Sequence, residues 1–530
     1  MTLRESIPAS TAHAAAPAAA LRDRTWLAMA AFAAVAVLGV LARPLLPIDE
    51  TRYLAVAWEM RLHGDWIVPQ LNGLPYSHKP PLLFWLINLV WSVTGVSGTA
   101  ARLVAPAFGV AAIWATGRLA SLLWPEDPGI GGRAAMILAG GAVFTVFAGL
   151  TMFDAMLTVA VISGVLALAV AGDGWRGWAG FGAALAFGAL AKGPVILVHL
   201  LPVALTAPFW AGLTLRRTLT GLALGLCVGL GLVGLWLVPA LAGGGPAYRE
   251  AVLWTQSAGR MADSFAHARP WWFFLALVPV LIWPFGWSPM LWRRLLALDW
   301  LGERGLRLAV AWAGSALVLF SLMSGKQIHY LLPALPAVAL GLARAMRGAP
   351  PVTARVAALP LVGIGLACIA AAFGLGGRQG AVFAPPAVMV LAGAGCLALA
   401  ALALRRARGP DLAVLGLGLA TLVNLVFLLG APGRIYDAGS VAAELAGAAE
   451  VAVIGDAYNG EFTFAARLTA PVVVLAPEAA DGWLAADPGR RLVARRDRDH
   501  PSGAPRATMT YRARPYGVWG GAAGGASDAE

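Results

Sequence analysis

The sequence predicts a polytopic all-α membrane protein of about thirteen transmembrane helices, with outward juxtamembrane helices and a small extracytoplasmic α/β domain near its C-terminal end. Three observations carry that prediction. Apolar residues make up 59% of the 530 and charged residues only 12%. Apolar runs long enough to span a bilayer recur from about Trp26 to about Leu429, which excludes a soluble protein. Beyond that point the composition changes and alternating, strand-like runs take over.

In chain order, the Ala-rich stretch 1–24 reads as a disordered cytoplasmic N-terminus. The first apolar run, 25–43, is followed by many more and lacks a small-residue cleavage site, so it reads as a retained span rather than a signal peptide. Further runs lie at 81–97, 101–124, 133–150, 155–171, 177–191, 194–211, 218–242, 271–291, 308–324, 329–343, 356–374, 384–404 and 411–430. If every run crossed, with Arg22 and Arg24 inside, then Arg216-Arg217, Arg293-Arg294, Arg344 with Arg347, and Arg405-Arg406 with Arg408 would all fall outside. That breaks the positive-inside rule four times. Laying 81–97 along the membrane surface puts every cluster on one side. That segment follows Pro80-Pro81 and carries Trp85, Asn88 and Trp91, which suit an interfacial helix. The net charge of +12 is thus a topology signal, and no nucleic-acid partner is implied.

The transmembrane domain therefore occupies 25–430, with a first outward loop at 44–100. Segment 431–515 reads as the small extracytoplasmic domain, because AEVAVIGDAYNGEFTFAARLTAPVVVLAP alternates a strand, a helical stretch and a second strand. Gly455 lacks a phosphate-binding pattern, so no nucleotide cofactor is inferred. The Gly- and Ala-rich segment 516–530 reads as a disordered tail. Cys227, Cys368 and Cys396 sit inside apolar runs without metal-like spacing and read as small buried side chains.

A chain this poor in charge needs a reason for each ionisable group between its spans. Asp49 and Glu50 lie just beyond the first run; such a carboxylate can take a proton from an acceptor or hold a metal, and it can equally cap the helix-like run that follows. Asp154 interrupts VFTVFAGLTMFDAMLTVAVISG, where an unpaired carboxylate would cost roughly 2.5–3.5 kcal/mol, so a water-filled cavity or a function is expected. Lys79, Lys192 and Lys326 are the three lysines among 39 basic Lys and Arg residues, and all three fall on the outward side. Each can meet an anionic group such as a phosphate, or snorkel. His78 and His267, with Glu50 or Asp263 nearby, could form a zinc site open to substrate. His199 reads as a satisfied core residue. His329 and Tyr330 could add hydrogen bonds to an anion or acceptor. Trp271-Trp272-Phe273-Phe274 reads as an interfacial belt or a flank for a lipid tail.

The order Asp49-Glu50-x-Arg52-Tyr53, then GDWIVPQLNGLPYSHKPPLLFWL, Phe153-Asp154 and Ala191-Lys192-Gly193-Pro194 resembles the membrane glycosyltransferases of the aminoarabinose transferase and protein O-mannosyltransferase group. The resemblance spans roughly 44–200 and extends to GKQIHYLLPALPA. It implies a GT-C-type fold, with 25–430 as the glycosyltransferase domain and 44–100 as its catalytic outward loop. It further implies transfer of a sugar from a polyprenyl-phosphate carrier to a lipid, glycan or protein acceptor on the outer, periplasmic face of the inner membrane. Asp49 and Asp154 match the acidic catalytic positions, and Lys79 matches the lysine that contacts donor phosphate. Arg52, Tyr53, Tyr76, Lys192 and Lys326 are expected in support. His78 departs from the glutamate of aminoarabinose transferases. Two other classes fit the same residues: a transporter or flippase of anionic lipids, which predicts internal repeats and polar residues near mid-membrane, and a non-catalytic envelope scaffold.

Overall fold

The computed structural model describes residues 24–171, 174–254, 268–351, 354–375, 384–405, 408–430 and 432–520. Arg24 already lies in the first helix, α1 (Arg24–Ala42), and its guanidinium meets Asp411 at 3.1 Å. Two surface elements follow. α2 (Asp49–His63) leads to a hairpin of β1 (Gln70–Leu71) and β2 (Leu74–Pro75), and then comes α3 (Leu82–Thr94). With 13 residues, α3 is about 20 Å long, short of the ~30 Å hydrocarbon core. This is the segment that arginine parity required to stay on the surface.

The bundle continues with α4 (Gly98–Leu123), α5 (Ile130–Gly140), α6 (Ala142–Ala148), α7 (Asp154–Ala171), α8 (Trp175–Lys192), α9 (Val195–Leu205) and α10 (Leu215–Gly243). After the short helix α11 (Gly245–Glu250) come α12 (Arg304–Leu322), α13 (Ile328–Ala345), α14 (Arg355–Ala372), α15 (Pro386–Ala403) and α16 (Gly409–Leu429). Eight described helices are long and apolar enough to cross a membrane, or nine if α5 and α6, bent by 71° at Gly141, count as one. Several of the thirteen expected spans are broken instead. Run 194–211 divides at Thr206 after Pro202, and 271–291 stops at the turn before Pro284. Where α5 breaks it touches α16 so closely that a Cβ on Gly416 would fall 1.9 Å from the Gly140 carbonyl oxygen. The chain is a multi-pass membrane protein.

A second apolar cluster holds the surface elements to the bundle. Tyr53, Tyr76, Phe84, Trp91 and Phe153 pack with Phe464 of the C-terminal domain. Asn88 donates from α3 to the carbonyls of Ala57 and Phe84, at 2.9 and 3.0 Å. The hairpin turns at Asn72-Gly73, both with positive φ, as a two-residue turn requires. The Glu59 carboxylate accepts both turn N–H groups, at 2.7 and 2.9 Å.

The C-terminal domain has a five-stranded sheet ordered β4-β3-β5-β7-β6, from β3 (Val451–Ile454), β4 (Val473–Leu475), β5 (Arg491–Arg495), β6 (Ala507–Tyr511) and β7 (Arg514–Trp519). β3 is parallel to β4 and β5, while β7 is antiparallel to β5 and β6. Two expectations need correction. The stretch between β3 and β4 is turn rather than helix, because the Tyr458 hydroxyl accepts the N–H groups of Phe462 and Thr463 and Gly460 has positive φ. The expected tail from 516 is instead strand to Trp519, since β5 supplies its ladder partners and Trp519 is buried. Residues 521–530 and 1–23 lie outside the described residues. Cys227, expected to be buried, is exposed on α10; Cys396 is buried.

Candidate active site

At one end of the bundle the starts of α2, α7 and α9, the end of α8, the segment around Lys79 and the start of α13 surround a cavity of about 650 Å³. The structure brings Asp49, Arg52, Tyr53, Tyr76, His78, Lys79, Asp154, Lys192, His329 and Tyr330 together in its wall.

Helix ends explain the placement of its two charged partners. Asp154 sits in the first turn of α7 and Lys192 in the last turn of α8, so each charge complements its helix dipole. α8 ends because Gly193 takes φ +81° and Pro194 follows. Lys192 Nζ donates to Asp154 Oδ1 at 2.5 Å, and Asp154 is 1% exposed. Lys192 also lies over the Tyr330 ring at 5.2 Å. Pairing therefore answers the cost that the sequence assigned to a carboxylate in an apolar stretch.

Asp49 and Glu50 are neighbours with different environments. Asp49 is exposed in the cavity wall, and its Oδ1 accepts the Tyr53 hydroxyl at 3.1 Å. Burial, and then the Asp49 charge and hydrogen bond, hold the Tyr53 phenol well above its ordinary range, so it remains a donor. Glu50 is 3% exposed and does not line the cavity. Its oxygens accept the N–H groups of Leu46 and Thr151, and Arg102 lies at 3.6 Å. Glu50, expected among the catalytic acids, thus ties the approach to α2 to the segment before α7.

Lys79 lies 5.6 Å over the Phe153 ring, beside Asp154. Arg52 donates to Asn459 of the C-terminal domain at 3.1 Å, so the domain fixes one wall of the cavity. Lys326 departs from the expected pattern. It is absent from the wall, and its ammonium donates to the Met323 carbonyl and, at 3.0 Å, to the Arg269 carbonyl. Burial shifts it below the ordinary lysine range. His267 lies outside the described residues. Among the described residues no three of His, Cys, Asp or Glu come together to hold a metal, and His78 is exposed in the cavity wall, its ring 5.2 Å from that of Tyr76.

Sequence reasoning missed the opposite wall. Leu226, Gly229, Leu230, Val233, Trp236 and Leu237 of α10 line it, and in sequence they look like any apolar span. Leu230 in this wall is 71% exposed. Tyr248 of α11 adds a hydroxyl whose pKa is pushed up to about 12 by burial and then by Asp65. His199 also lines the cavity, and both its ring nitrogens are without a hydrogen-bond partner among the described residues. The expectation of a satisfied core histidine is therefore corrected.

Residues 78–238 match the family model described as dolichyl-phosphate-mannose-protein mannosyltransferase. Two curated relatives are undecaprenyl phosphate-alpha-4-amino-4-deoxy-L-arabinose arabinosyl transferases. That of Pseudomonas fluorescens is 31% identical over 320 residues, 58% of this chain and 55% of the relative. That of Pseudomonas paraeruginosa is 32% identical over 336 residues, 61% and 60% respectively. The chain thus spans 55% and 60% of the length of these relatives. The crystal structure of ArnT from Cupriavidus metallidurans bound to undecaprenyl phosphate superposes with a TM-score of 0.73 at 20% identity, over 93% of this chain and 97% of that one. Its apo form gives 0.67 at 21% identity, over 88% and 92%. The fold is that of these ArnT structures, and the sequence resembles the aminoarabinose transferases.

Proposed function

We propose that the protein is a membrane glycosyltransferase that moves a sugar from a polyprenyl-phosphate carrier to a lipid, glycan or protein acceptor at the periplasmic face of the inner membrane. One observation carries the reading: a single cavity joins a carboxylate and cations at its polar end to an apolar wall formed by the long apolar helix α10. A prenyl phosphate needs both ends. The names of the relatives and the ligand of the ArnT structure point to the same carrier.

Asp49 serves as general base or orients the acceptor oxygen, with the Tyr53 hydroxyl holding its Oδ1. The acceptor oxygen forms a bond to the anomeric carbon as the bond from that carbon to the phosphate oxygen breaks. The acceptor proton passes to Asp49, and the prenyl phosphate departs with the electron pair. Lys79, Lys192 and Arg52 face the cavity where that negative charge develops. Asp154 is a positioning residue that holds the Lys192 ammonium in place. Tyr76, His329 and Tyr330 line the space left for sugar and acceptor.

The test is reconstitution of the purified chain in liposomes with a labelled undecaprenyl-phosphate sugar and lipid A. Transfer that Asp49→Asn abolishes supports the reading; transfer unaffected by Asp49→Asn or Asp154→Asn removes it. Separately, we propose that His78 and His267 bind zinc. Element analysis should find zinc that a His78→Ala, His267→Ala double variant loses, and a metal-free active enzyme refutes it.

A further inference from the structure

His199 is a buried imidazole in the cavity wall that the mechanism leaves idle. It is 1% exposed, yet it lines the cavity, and neither ring nitrogen has a hydrogen-bond partner among the described residues. Most buried polar groups in folded proteins are paired, so an unpaired one in a cavity wall invites an occupant. The other cavity-lining side chains of α9, Val195, Ile196, Leu197 and Val198, cannot supply one. The ring lies 4.9 Å from that of Phe320, tilted by 40°, and Phe320 lies 6.1 Å from Tyr330, the ring under Lys192. The imidazole therefore belongs to the same wall as the Asp154–Lys192 pair.

We propose that His199 is a specificity-determining residue that hydrogen-bonds hydroxyl or amino substituents of the transferred sugar. The proposal rests on the glycosyl-transfer reading and deepens it. Of the three parts of a prenyl-phosphate sugar, only the sugar matches this group. The tail offers no hydrogen bond. The phosphate oxygens accept only, and Lys79, Lys192 and Arg52 already face the cavity for them. A neutral imidazole presents one donor and one acceptor at different edges, which suits substituents that both give and take protons.

Binding to the purified full-length chain tests this with three probes: undecaprenyl phosphate alone, and the same carrier bearing 4-amino-4-deoxyarabinose or mannose. His199→Leu should bind the preferred sugar-bearing probe at least about tenfold more weakly. It should bind the bare carrier as the wild type does, with an unlowered melting temperature. His199→Gln, which keeps a donor and an acceptor, should recover part of the loss and stands in if the Leu variant does not fold. Undiminished affinity of His199→Leu for the sugar-bearing probe overturns the proposal, and an equal loss for bare and sugar-bearing carrier overturns it by placing the ring at the phosphate. A wild type that binds none of the three probes overturns the glycosyl-transfer reading along with it, which separates the two failures.

Discussion

Charged side chains gather at both ends of the helix bundle and are handled in opposite ways. At the end away from the cavity they close on one another. Asp127 takes Arg133, Glu303 receives two bonds from Arg344 at 2.7 and 2.9 Å and one from Trp124 at 2.6 Å, and Arg294 donates to the Ala345 carbonyl at 2.6 Å. At the cavity end the Asp154–Lys192 pair is closed, while Asp49 is exposed and the Lys79 and Arg52 side chains line the cavity. The first arrangement fixes helix ends; the second holds charge ready for a ligand. Stability and chemistry should therefore respond separately to substitution at the two ends.

The largest expected effect is at Asp49. Asp49→Asn should lower sugar transfer in liposomes at least about a hundredfold with little change in melting temperature, because the carboxylate is exposed and its loss costs the fold almost nothing. Asp154→Asn should lower both, leaving Lys192 without its counter-charge, at about 1–3 kcal/mol of stability. Adding Lys192→Gln should restore melting but not transfer; restored transfer would show that the pair is purely structural. Asn72→Ala removes the reciprocal bonds with Val472, at 2.9 and 2.7 Å, and should cost about 1–2 kcal/mol. Limited proteolysis should then release the C-terminal domain more readily, and loss of the Arg52–Asn459 contact should weaken transfer severalfold.

At the far end, Glu303→Gln should lower the melting temperature by a few degrees and leave transfer per folded molecule unchanged. Reduced transfer there would break the contrast between the two ends. Acid offers the smallest test. Burial alone would raise the Glu303 carboxyl, but the hydrogen bonds from Arg344 and Trp124 outweigh it and hold the group below its ordinary value. A depressed folded value means that the contribution is complete above the unfolded carboxyl's 4.5 and fades as pH falls from there through the folded value. Wild type should lose more melting temperature than Glu303→Gln below that pH.

Much of the cavity end was legible in the sequence because charge is scarce there. Asp49, Lys79, Asp154 and Lys192 each interrupt apolar surroundings, and all four line the cavity. The same logic applied to Lys326 led elsewhere, since the carbonyls that hold its ammonium come from Met323 and from Arg269, distant in sequence. Adjacent Asp49 and Glu50 could not be told apart, because their roles follow from which way α2 is turned against Arg102 and Thr151. His199 looked like core because its neighbours in sequence are apolar; only the cavity showed that its ring is unpaired. The strand at Tyr516–Trp519 was hidden by a composition rich in glycine and alanine, and it exists because β5 and β6 flank it. The Asn72-Gly73 turn was a readable hairpin signal that went unused.

Asp154 and Lys192 stand at the two free tips of the α7–α8 hairpin, and that hairpin lies whole within the matched stretch 78–238. Their separation is thus set by the matched lengths of two consecutive helices, within one local piece of chain. Asp49 lies outside that stretch, on a separate element, and its alignment to the pair depends on how α2 packs against α3, Phe153 and Phe464 of the C-terminal domain.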